Sequence, residues 1–123
     1  DLPAVIPAGG DLVVIKNLAA FSWRYPAVRA DKILGPYDGK LSNAGERLEL
    51  SMPGDFDKFG VRQYIRVDRV NYSDGSHPED SLGSVDLWPI GPDGYGQSLT
   101  RKVSTDYGND PANWVASTPS PSE

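Results

Sequence analysis

Few side chains in this 123-residue chain are of a type and spacing that could do chemistry. The single histidine, His77, sits before Pro78 with Asp74, Glu79 and Asp80 around it. One imidazole with neighbouring carboxylates is the raw material of a metal site. In a polar loop it is far more often a solvated cluster. A hydrolytic triad would need a serine nucleophile on a sharp turn. Ser42, Ser73 and Ser98 stand in no Gly-x-Ser-x-Gly context, so no Ser-His-Asp arrangement is expected. The chain has no cysteine, which excludes disulfides and cysteine-ligated zinc or iron–sulfur centres.

Two acidic groupings could supply oxygen ligands to Ca²⁺. One is Asp74, Glu79, Asp80 and Asp86; the other is Asp106, Asn109 and Asp110. Neither has the regular ligand spacing of an EF-hand, and Asp110 before Pro111 reads equally well as a helix cap. No other cofactor is indicated. The aromatic residues Trp23, Trp88 and Tyr95 could stack on a sugar or touch a protein partner, whereas most aromatics in a domain of this size close the end of a core. Phe21 and Tyr25 share a helical face with Leu18 and are expected inside, and Trp23, off that stripe, is expected outside. No catalytic residues are assigned, and the chain is read as a non-enzyme.

The elements that would position these residues are mostly strands. Thirteen glycines and eleven prolines imply many turns and exclude long helices. The net charge of −5 disfavours nucleic acid as a partner, since phosphate binding needs a basic surface. No apolar run approaches the roughly 20 residues of a membrane-spanning helix, so membrane insertion is not expected.

The organising stretch is Leu41 to Leu50. Ser42 to Gly45 forms a turn, and from Glu46 the residues alternate, placing Leu48 and Leu50 on one face and Arg47 and Glu49 on the other. Tyr64 to Tyr72 alternates as well but does not say which face is inward. A bulge near Asp68 would bring Val70 beside Val67. Asp11 to Lys16, with Leu-Val-Val-Ile between charges, reads as a buried strand. Asn17 caps a helix from Leu18 to about Tyr25, which Pro26 ends. Residues 33–40 and 73–87 read as loops, 51–60 as a long hairpin connection, and Gln97 to Val103 as a last short strand. Residues 104–114 read as a terminal loop with one helical turn after Asp110, and Trp114 as a plug. Residues 117–123 are Ser/Pro-rich and read as a linker or tail.

Several of these pieces, taken in order, resemble bacterial lamin-tail domains. They are Ile6-Pro-Ala-Gly-Gly-Asp-Leu-Val-Val, the helix from Leu18 to Tyr25, the Leu41–Leu50 stretch, Asp68-Arg-Val-Asn-Tyr, Trp88-Pro with Asp93-Gly-Tyr-Gly-Gln-Ser-Leu, and Tyr107-Gly-Asn-Asp-Pro-Ala-Asn-Trp114. The resemblance covers most of residues 5–115. It implies an all-β, immunoglobulin-like β-sandwich with one short helix, at about residues 18–25, and a short terminal helical turn, spanning residues 1–116.

The resemblance also implies a non-catalytic interaction or structural module of a larger secreted or cell-surface bacterial protein, located extracellularly. The family begins with strands that residues 1–10 do not match. Together with an Asp1 start, this suggests a processed product or an excised piece, the C-terminal two-thirds of such a domain. Strand complementation by another polypeptide, or a homo-oligomer, is the expected partnership. Two other readings are a carbohydrate-binding module, which needs aromatics on one exposed flat surface, and an accessory domain of an extracellular enzyme, which needs carboxylates converging around His77.

Overall fold

The structure is a computed structural model and describes residues 4–74 and 85–121. It is β-rich, with three two-stranded sheets and one α-helix among the described residues. The residues cluster into two compact units, 1–40 with 119–123, and 41–118.

In the first unit, β1 (Val13–Val14) pairs in parallel with β2 (Ile33–Leu34). The strand expected over residues 11–16 is therefore reduced to two residues, although Ile15 adds a backbone bond to Leu34 O at 2.8 Å. Ile15, 5% exposed, is the buried hydrophobic residue among those described, while Val14 is half exposed. The run is apolar throughout, yet among its residues Ile15 is buried and Leu12 and Val13 are only partly covered. The Ile33–Lys40 stretch is not wholly loop, since it opens with β2 after a 3₁₀ turn at Ala30–Lys32.

Helix α1 (Leu18–Arg24) forms where the sequence places it. The Asn17 side chain accepts from Ala20 N at 2.9 Å, satisfying one of the free amides of the first turn. Phe21 and Tyr25 meet with ring centroids 5.2 Å apart and are half-buried, and Trp23 is exposed on the opposite side, but Leu18, which shares the stripe with Phe21 and Tyr25, is 55% exposed, because it lies at the open first turn.

The second unit is built on a long antiparallel hairpin, β3 (Gly45–Phe56) and β4 (Arg62–Ser73). The turn before β3 is held by both strands. Glu46 accepts from Ser42 N at 3.0 Å, and the Tyr72 hydroxyl donates to Ser42 O at 2.6 Å. Gly45 has φ +133°, and a Cβ there would lie 2.6 Å from Tyr72 O, so the position demands glycine. Strand β3 runs six residues beyond Leu50, through much of what the sequence suggested was connection. The true reversal is 57–61, where Asp57 accepts from the amides of Phe59 and Val61 at 2.8 and 2.9 Å.

The bulge lies where the alternation suggested, but with a different result. Leu50 pairs with Asp68 and Ser51 with Arg66, so Val67 is the extra residue. Val70 is not brought beside Val67. Instead the bulge moves Ile65 onto the same face as Asp68 and Val70. That face carries Leu48, Leu50 and Met52 from β3, and the other carries Arg47, Glu49, Arg66 and Arg69.

A second hairpin, β5 (Ser98–Arg101) and β6 (Trp114–Ser117), completes the unit. Asp110 caps a 3₁₀ turn, Pro111–Asn113, accepting from Ala112 N at 2.9 Å. Trp114 opens β6 rather than ending a loop, and the strand extends to Ser117, into the stretch read as linker.

Candidate interaction surface

Arg101 of β5 and Asp68 of β4 tie the short hairpin to the apolar face of the long one. The guanidinium grips both carboxylate oxygens, and its Nη2 also donates to Asp106 O at 2.6 Å. The Arg101 Nε is buried without a hydrogen-bond partner. The Arg101 hydrogen bonds hold the Asp68 carboxyl below the usual carboxylate range, and the Arg69 amide adds to the effect. The sequence marks Asp68 as the neighbourhood of a bulge but not as half of an ion pair, because plain alternation sets it beside Arg66, and only the bulge replaces Arg66 by Ile65 on its face, a placement that requires a partner.

Gly108 is buried against this pair. A Cβ there would lie 2.5 Å from Asp68 Oδ1 and 2.8 Å from Arg69 O. Trp114 donates through its indole nitrogen to Gly108 O at 2.8 Å, and its ring meets that of Trp88 at 6.3 Å between centroids. Leu41, Leu48, Val70, Leu99 and the two tryptophans line a groove of about 770 Å³. Trp114 also borders the shallow depression over Leu48, Leu50 and Val70.

Beyond Trp114 the same face is uncovered. Leu48 is 38% exposed, Leu50 52%, Met52 49% and Ile65 51%. The opposite face is wet and charged, with Glu49 paired to Arg47 and, at 3.9 Å, to Arg66. Arg47 is the main cause of a lowered Glu49 pKa.

The two edges of the long hairpin differ. Along β4, Asn71 N donates to Asn109 Oδ1 at 2.7 Å, and Tyr107 and Gly108 lie beside Arg69. Residues 107–109 therefore mask that edge from Arg69 to Asn71. Asn71 N points away from β3, whereas Asp74 N donates inward to Ala44 O at 3.3 Å. By the alternation of an antiparallel ladder, Ala44, Glu46, Leu48 and Leu50 bond inward to β4 and Arg47, Glu49 and Ser51 point outward. The outward backbone groups of these three residues meet no partner among the described residues. Pro53, with no N–H to offer, bounds this free stretch as prolines do on sheet edges.

The candidate site residues fall as follows. His77, Glu79 and Asp80 lie outside the described residues. Asn109 and Asp110 have a side-chain oxygen engaged by the amides of Asn71 and Ala112, Asp106 is exposed, and Asp86 accepts from Trp88 N at 3.0 Å. No group of three metal-ligating side chains gathers among the described residues, Asp74 included. Of the aromatics considered for sugar contact, Trp88 is packed on Trp114. Trp23 and Tyr95 are exposed, 84% and 75%, but belong to different units.

Compared with family models, with curated proteins and with solved structures, the chain matches none. Among the described residues no helix is long and apolar enough to cross a membrane.

Proposed function

We propose that this chain is a non-catalytic interaction or structural module of lamin-tail, immunoglobulin-like type, part of a larger secreted or cell-surface bacterial protein. It acts by presenting a sheet face and a strand edge to another polypeptide. One observation carries this reading. A hairpin of two twelve-residue strands gathers Leu48, Leu50, Met52, Ile65 and Val70 on one face, with Glu46 and Asp68 beside them, and Arg47, Glu49, Arg66 and Arg69 on the other, yet leaves Leu50, Met52 and Ile65 about half in water. Such sorting prepares a face for burial, and covering what remains exposed contributes on the order of 1 kcal/mol per side chain. The lamin-tail resemblance supports the same reading, since such sandwiches offer sheet edges and end loops to a partner. The packing of Trp88 on Trp114 removes Trp88 from the set of freely exposed aromatics on which the carbohydrate reading depends.

The test is dye binding to the native chain. An apolar fluorescent probe such as anilinonaphthalene sulfonate should bind at pH 7 while tryptophan near-UV dichroism shows fixed packing. A Leu50→Glu/Ile65→Lys variant should lose most of the signal. A native chain that fixes its tryptophans and binds no dye would have its face covered from within, and the proposal would fail.

A further inference from the structure

The free edge of β3 is complementary to itself. Arg47 and Glu49 are both outward-bonding, share one face, and flank Leu48. An antiparallel copy of β3 laid along this edge must match outward residues with outward residues, because only those have free N–H and C=O groups. This places a two-fold axis on a residue rather than between two, and only the registers centred on residues 47, 48 or 49 engage at least three of the four outward residues Gly45, Arg47, Glu49 and Ser51. Centring on Arg47 sets arginine against arginine, and centring on Glu49 sets glutamate against glutamate. Centring on Leu48 sets Arg47 of each copy against Glu49 of the other, and Gly45 against Ser51. Like charges directly opposite are unfavourable and opposite charges favourable, so one register is selected. It ends just short of Pro53, where the hydrogen-bonding edge ends.

We infer that the occupant of this edge is a second copy of the chain, joined β3 to β3 about a two-fold axis at Leu48 into a four-stranded antiparallel sheet. The inference rests on the interaction-module reading and names its partner. Such an interface is isologous: Arg47 of one copy meets Glu49 of the other, and the reverse. Charged residues often protect sheet edges from pairing, but that protection works through repulsion, and alternating signs remove it. The intrachain Arg47–Glu49 pair already holds both side chains on the face where the cross-pairs would form.

Charge reversal tests it with the whole chain. Sedimentation equilibrium of residues 1–123 should show a dimer that weakens as salt rises. Glu49→Arg and Arg47→Glu should each weaken self-association by about tenfold or more, since two attractive cross-strand pairs become repulsive. Mixed in equal amounts, the two variants should associate, because every Arg then faces a Glu, and the double variant should dimerise alone.

A second measurement is independent of affinity. The chain has no cysteine, so Leu48→Cys supplies one thiol. A non-hydrogen-bonded antiparallel pair brings Cα atoms to about 4.5 Å, within disulfide reach. Leu48→Cys should cross-link on mild oxidation, and Leu50→Cys, set opposite Glu46, should not. A chain that stays at 13.3 kDa, with no Leu48→Cys cross-link, overturns the inference. If such a chain still binds the apolar dye, the module reading stands and its partner is not a copy; if it binds no dye, both fail.

Discussion

Asp68 and Arg101 form a two-oxygen ion pair between β4 and β5, on the face of the long hairpin that carries Leu48, Leu50, Met52 and Ile65. The pair does for this unit what a packed core does elsewhere: it fixes where the short hairpin sits. Gly108 and Trp114 close around it, so a polar contact and an aromatic one hold the same junction.

Removing either partner should loosen that junction. Arg101→Met leaves Asp68 without its guanidinium and should cost about 1–2 kcal/mol, the lower part of the range for a charge losing its partner, because Asp68 keeps 34% of its side chain in water. The urea midpoint followed by tryptophan fluorescence reads the loss. An unchanged midpoint would mean that Trp114 alone fixes the hairpin.

Acid should act through the same carboxylate. The folded state holds the Asp68 pKa below its unfolded value, so the stabilisation is fully present above the unfolded pKa, near 4, and is lost as pH falls through the lower folded value. Urea midpoints should be flat from pH 7 to about 5 and fall below about 4. The Asp68→Asn variant, less stable at neutral pH, should show a shallower fall. Glu49 shifts in the same direction but is exposed, and solvent screening leaves it little influence.

The bulge separates two valines that stand three positions apart. Val67 is the extra residue of the ladder and 57% exposed, whereas Val70 shares its face with Leu48 and lines the groove under Trp114. Val67→Lys should change stability by no more than about 0.5 kcal/mol. Val70→Lys should cost about 1–3 kcal/mol through lost burial and a charge brought against Leu48. Equal effects in thermal melts would place the bulge elsewhere.

Much of this architecture can be read from local pattern. Asn17 and Asp110 cap turns because their side chains satisfy amides one turn ahead, a rule that needs no tertiary information. The facing of Leu48 and Leu50 against Arg47 and Glu49 follows from period two. The rest depends on partners distant in the chain. Asp11–Lys16 has the composition of a buried strand, yet only two of its residues pair, because burial depends on what covers a strand. The extra residue at Val67 cannot be told from its neighbours until β3 supplies the register. Arg101 and Asp68 stand 33 positions apart, and only the fold brings them together.

The masking of β4 by residues 107–109 limits what can be built from this chain. A sheet open on both sides is a template for endless stacking, the geometry of fibrils. Here the side chain of Asn109 takes the amide of Asn71, with Tyr107 and Gly108 alongside, and closes the part of β4 that lies across from Arg47 and Glu49. At this end of the long hairpin only the β3 side is left for a further strand, so one edge can stay adhesive while the edge behind it is guarded.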